Sequence, residues 1–253
     1  MYDDEESTAL DAEAEPESPL DELESVEAEG ERSPPLDADA MLAQLTASEP
    51  PQRMIAARAF CELQDARAVP DLVRLLGDVC PLVRVSAAYA LGRNPSPDAV
   101  ESLIAQLGCD WSGYVRKGIV WALGNCSDRR SVEPLTHALK TDISAVRLWA
   151  ASSLAQIARL GYEAIVAAVP ALIEVLRQDA MAAVRSNCAW TLGQLCRELP
   201  ANVVYSTAVD ALLEALVEDS DVGVSEDAKA ALLRLGDPRG LQTIEELEQE
   251  GLA

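Results

Sequence analysis

Aromatic side chains are scarce in this 253-residue chain, at 4% with a single phenylalanine. Long alternating β-branched or aromatic runs are missing as well, which argues against a sheet-rich fold and leaves an almost purely helical one. No apolar run approaches the length of a membrane span, and the N-terminus lacks the basic and apolar segments of a secretory signal. A cytoplasmic protein away from membranes is expected. There is one histidine, His137, and no CxxC, HExxH, GxSxG or glycine-rich phosphate loop. His137 sits beside Leu135 and Leu139 with no nucleophile or carboxylate partner in view, so it reads as an outer surface residue, and no catalytic residue is assigned.

Basic residues are also in deficit. Lys and Arg number 20 against 43 Asp and Glu, a formal charge of -23. Residues 1–36 hold fourteen of the acids and one base, which predicts a disordered acidic tail. Residues 37–253 keep a net charge near -10. Nucleic acid is an unfavourable partner for such a chain, because phosphate binding needs clustered cations.

What is present is repetition. A fourteen-residue phrase recurs six times, opening at Gln52-Arg53, Val83-Arg84, Val115-Arg116, Val146-Arg147, Val184-Arg185 and Val224-Ser225. The starts lie 31, 32, 31, 38 and 40 residues apart. Small or apolar slots fall at the opening residue and 4, 5, 7, 8 and 11 beyond it, the stripe of a helix. A second apolar pattern precedes each copy, as in Val69-Pro70-Asp71-Leu72, Val132-Glu133-Pro134-Leu135 and Val169-Pro170-Ala171-Leu172, with proline suited to a first helical turn. Each unit thus has an A helix and a B helix, and stacking buries the apolar faces. The reading is all-α: a right-handed solenoid of about six two-helix repeats near 37–66, 67–96, 98–130, 131–162, 168–200 and 207–236. Arg239 to Leu247 forms a capping helix. Longer connections around Gly161–Ala168 and Leu199–Thr207 either prolong helices or project as loops.

The arginines of the phrase, Arg53, Arg84, Arg116, Arg147 and Arg185, recur with Asp78, Asp110, Asp142, Asp179 and Asp219, which precede successive copies. This pattern predicts a ladder of pairs that fixes the register between units. Six cysteines read mostly as small packed residues: Cys188 and Cys126 fill core slots, and Cys61 and Cys196 come late in B helices. Cys80 and Cys109, in neighbouring A-to-B turns, are the one pair considered for a shared metal ligand.

Positions that the core does not need carry the functional reading. The sixth residue beyond each opening is Arg58, Tyr89, Trp121, Ser152, Trp190 or Ala230, and Trp149 lies on the same face as Ser152. Tyr89, Trp121, Trp149 and Trp190 are expected to form an aromatic ladder along a concave partner-binding groove, or else to fill space between repeats. Arg58, Arg93, Lys117, Asn125, Gln156, Asn187 and Gln194 would supply its polar rim.

The phrases VRVSAAYALG, VRKGIVWALG, VRLWAASSLA and VRSNCAWTLG, with VEPL and VPAL, resemble the HEAT-like repeats of cyanobacterial phycobilisome-lyase-type proteins, over about residues 40–247. Within that group the organisation is similar to the IaiH-type partner of an A-type iron–sulfur carrier. The resemblance implies a non-catalytic protein-binding scaffold or assembly chaperone, as a monomer or heterodimer. Its partner would be an A-type iron–sulfur carrier or a phycobiliprotein, and no cofactor is implied unless an iron–sulfur cluster or bilin is held at a shared site. The alternative it implies is a phycobilin lyase or lyase subunit.

Overall fold

The structure, a computed structural model, describes residues 37–250. The acidic segment 1–36, expected to be a disordered tail, lies outside the described residues.

Thirteen α-helices make up the described chain, joined by turns and four short 3-10 segments. The A helices are α1 (Ala38–Gln44), α3 (Val69–Leu75), α5 (Val100–Cys109), α7 (Val132–Thr141), α9 (Tyr162–Gln178) and α11 (Val203–Glu218). The B helices are α2 (Pro50–Ala59), α4 (Pro81–Arg93), α6 (Gly113–Cys126), α8 (Ser144–Leu154), α10 (Ala182–Cys196) and α12 (Val222–Leu235), and α13 (Pro238–Gln249) closes the stack. Every opening apolar residue of the repeated phrase, from Val83 to Val224, is buried, as are the alanines and leucines four, five, seven and eight places on. The solenoid and its cap are therefore as the sequence predicts. Helix α13 caps by turning Gly240 and Ile244 inward while Leu241 stays outside.

Local chemistry sets the ends. Asp37 caps α1 by accepting the N–H groups of Asp39 and Ala40. Prolines open α2, α3, α4 and α13, where a missing N–H costs nothing. Helix α12 ends on Gly236 at φ 65°, a left-handed backbone that glycine adopts without Cβ strain.

Both longer connections prolong helices. Helices α9 and α11 run 17 and 16 residues, against 7 to 10 for the other A helices. Pro170 consequently lies inside α9 and not in a first turn as expected, because the helix already begins at Tyr162. Its ring removes one internal hydrogen bond, and it faces solvent, where water can serve the freed carbonyl.

Successive B helices pack on one another along the whole stack, whereas α3 and α5 barely touch the next A helix. No described helix is long and apolar enough to cross a membrane.

Candidate functional site: the B-helix face

The arginine ladder fixes the frame of this face. Arg53, Arg84, Arg116, Arg147 and Arg185 each pair with the aspartate of the next repeat, Asp78, Asp110, Asp142, Asp179 and Asp219, at 2.7 Å. The same guanidiniums also donate back to carbonyls of their own A-to-B turn: Arg84 to Asp78 O, Arg116 to Asp110 O, Arg147 to Asp142 O and Arg185 to Asp179 O. Each aspartate accepts a backbone N–H of its own turn, as Asp110 does from Ser112 at 2.8 Å. Burial pushes the Asp110 carboxyl up, but the hydrogen bonds from Arg84, Gln106 and Ser112 outweigh it and hold the group below the usual carboxylate range.

Upon this frame the predicted groove residues fall into three groups. Tyr89 of α4 and Trp121 of α6 are half-buried and meet at 5.6 Å between ring centroids, tilted by 44°. Trp121 lies across Gly92, where an added Cβ would stand 2.3 Å from the indole, so the glycine makes room for the next repeat's ring. Trp149 of α8 is also half-buried, with the Lys117 ammonium 5.1 Å above its ring. Trp190 of α10 is 36% exposed. The aromatics thus both fill space between repeats and keep an open edge.

The amides behave differently. Asn125 Nδ2 donates to Gly92 O at 3.0 Å and Asn187 Nδ2 to Leu148 O at 3.2 Å, so both stitch one B helix to the previous one. Gln156 falls on the 3-10 segment Ala155–Leu160 beyond α8, and Gln194 on α10 is half-buried. Arg58 is exposed, and Arg93 is exposed with its Nε donating to Cys61 O at 3.0 Å.

Three features escaped the sequence reading. Asn94 is buried, donates to Phe60 O and Ala90 O, and accepts from Asp65 N, which ties the first repeat to the second. A second ladder of Asp-x-Arg turns runs along the opposite edge: Arg67 joins Asp65 to Asp39, Arg130 joins Asp128 to Glu101, and Arg239 joins Asp237 to Asp210. Its recurring Asp-x-Arg spacing was the available signal. Trp111 and Tyr114, each 76% exposed, project from the third A-to-B turn, with the Arg84 guanidinium carbon 5.5 Å from the Trp111 ring centroid.

The remaining candidates lie off this face. His137 is exposed on α7 and shares with Cys109 a cleft of about 880 Å³ between α5 and α7. Cys80 is half-buried against the core at the start of α4 and is not part of that cleft. No group of three His, Cys, Asp or Glu side chains that could hold a metal occurs among the described residues. Burial pushes Cys196 up to about 12 and Cys188 higher still, so neither offers a thiolate.

The HEAT-repeat family model matches residues 38–117, 100–170 and 169–251. Bilin biosynthesis protein RpcF of Synechococcus sp. (strain WH8020) is 38% identical over 109 residues, 42% of this chain and 51% of that protein. Bilin biosynthesis protein PecE of Mastigocladus laminosus is 41% identical over 59 residues, 23% of this chain and 22% of its own. The chain therefore spans from about a fifth to half of the length of these relatives. Among solved structures, the complex of CpcE and CpcF of phycocyanin lyase from Nostoc sp. PCC7120 superposes with a TM-score of 0.56 at 22% identity, covering 85% of this chain and 83% of that one, a likeness of fold.

These relatives correct the expectation of a non-catalytic scaffold or assembly chaperone, since the proteins it resembles in sequence are bilin biosynthesis proteins. The IaiH-type kinship and the iron–sulfur carrier find no support among them. The repeated phrase, the paired helices, the Arg–Asp rungs and a match over residues 38–251 meet in one conclusion: this chain belongs to the HEAT-repeat family.

Proposed function

We propose that the chain is a subunit of a bilin lyase, whose B-helix face holds an open-chain tetrapyrrole while the pigment is joined to a phycobiliprotein. The observation that carries this reading is the Tyr89–Trp121 pair beside the Lys117–Trp149 pair on successive B helices. Flat aromatic edges suit a conjugated, bent ligand. Lys117 has no carboxylate within bridging distance among the described residues and so can receive a propionate. The sequence relationship to RpcF and PecE supports the same chemistry.

The first five B helices carry no carboxylate or histidine to act as a general base on this face. Its contribution is to bind and orient, which raises the effective concentration of the reacting ends. The complex of CpcE and CpcF, whose fold this chain shares, supports a heterodimer with a second chain.

Titration with phycocyanobilin, read by visible absorbance and tryptophan quenching, tests the proposal. A saturable spectral change is expected with the chain alone or with its second subunit, and covalent transfer to a phycobiliprotein with the complete pair. Absence of both would overturn it.

A further inference from the structure

The distribution of carboxylates between the two helix layers is uneven. Each A helix carries at least one: Asp39 in α1, Asp71 in α3, Glu101 in α5, Glu133 in α7, Glu163 in α9 and Asp210 in α11. The first five B helices, α2, α4, α6, α8 and α10, carry none. Their first turns lack acids too, although the helix dipole favours an acid there and α1, α3, α5, α7 and α9 each have one. In a body with net charge near -10, these five B helices have been kept clear of negative charge, and acids return only in α12, at Glu226 and Asp227.

Cations remain on it, one for each of five repeats. Arg58, Arg93 and Lys117 lie on α2, α4 and α6, Arg159 lies in the 3-10 segment Ala155–Leu160 that follows α8, and Arg197 caps α10. None has a carboxylate within 4 Å among the described residues, whereas Arg74, Lys140 and Arg177 of the A layer are each paired, with Asp71, Glu174 and Glu214. The helix dipole explains arginines near C-terminal ends. It does not explain the missing acids. Acids stand just outside these helices: Glu49 before α2, the ladder aspartates, held by their arginines, before α4, α6, α8 and α10, and Glu62 and Glu198 beyond the ends of α2 and α10.

We propose that this B-layer face docks the acidic surface of a partner protein, with these five unpaired cations facing its carboxylates. Adjacent helices sit about 8–10 Å apart, so five repeats present a row on the order of 40 Å long. A small dicarboxylate would occupy two of these positions, and an extended acidic surface would use them all. The proposal shares only Lys117 with the bilin reading, and the test below leaves that residue unchanged.

The test uses the full chain with a fluorescein-labelled decaglutamate peptide, followed by anisotropy at about 0.02 M and 0.3 M salt. Saturable binding at low salt that weakens at high salt is expected. The triple variant R58E/R159E/R197E should weaken it at least tenfold. The A-layer variant R74E/K140E/R177E changes net charge equally and should leave affinity within about twofold. Circular dichroism melts confirm folding, and R58Q/R159Q/R197Q replaces the first variant if it does not fold. Failure of the wild type to bind at low salt would overturn the proposal. So would equal losses in the two triple variants, or a ten-residue thymidylate strand bound as tightly as the peptide.

Discussion

Arg84 and Asp110 form a two-pronged pair between repeats, with Nε–Oδ2 at 2.7 Å and Nη2–Oδ1 at 3.0 Å. Their side chains are only 7% and 0% exposed. Removing one partner of so buried a pair strands the other charge, at a cost of about 3–5 kcal/mol. Asp110→Ala should therefore lower stability by about that amount in chemical denaturation. Asp71→Ala, which breaks the surface pair with Arg74, should cost about 1 kcal/mol or less. Similar losses in the two variants would contradict the ladder's role.

The same aspartates give a pH signature. Burial raises the carboxyls of Asp78, Asp110, Asp142 and Asp179, but their arginine and backbone hydrogen bonds prevail and hold them low. A carboxyl lowered on folding adds stability that is complete above the unfolded value of about 3.9 and is lost as pH falls through the folded value. Melting temperature should stay level from neutral pH to about 5 and fall steeply below about 4. A decline beginning above pH 6 would refute this account.

Gly92 and Trp121 are coupled by shape. Gly92→Ala places a methyl on the indole and should destabilise the fold by about 1–3 kcal/mol. In Trp121→Ala the clash is gone, so the double mutant should be more stable than the two single effects added together. Strict additivity would show that the ring does not rest there.

The aromatic face separates folding from binding. Trp190, at 36% exposure, should cost about 1 kcal/mol or less of stability when changed to alanine, while Trp121 should cost more. Under the bilin proposal, Trp190→Ala still weakens the absorbance change on titration. Unaltered pigment binding in a folded Trp190→Ala protein would count against that face.

Thiol reactivity is graded by burial. Cys109 is exposed at the end of α5, and Cys188 and Cys196 are buried. Native protein should be labelled first at Cys109, with Cys188 and Cys196 reacting only on unfolding, as peptide mapping of modified protein would reveal.

The architecture was legible because it repeats: Val-Arg at the four middle openings and an aspartate before each are enough to place both helices and the rungs between them. The detail of each rung was not. That Arg84 holds its own turn's carbonyl with one nitrogen and the next repeat's carboxylate with others depends on the distance between units, which a one-dimensional pattern does not contain. Asn125 and Asn187 looked like rim donors, yet they are consumed by carbonyls of the preceding helix. Pro170 was placed one helix start too late, because apolar spacing alone does not reveal that α9 begins at Tyr162. The half-burial of Trp121 and Tyr89 arises against Gly92 and Gly118, whose openings appear only once the helices are stacked.

Every rung of the arginine ladder points the same way, from one B helix to the aspartate that follows it. Excision of residues 79–110 would leave Arg53 on Asp78 and bring Arg116 to the Asp78 carbonyl, with Asp142 ahead of it as before. Neither a lone guanidinium nor a lone carboxylate would be exposed at the joint. An array wired in this manner can grow or shrink by whole modules, so its length is free to follow the size of what it grips.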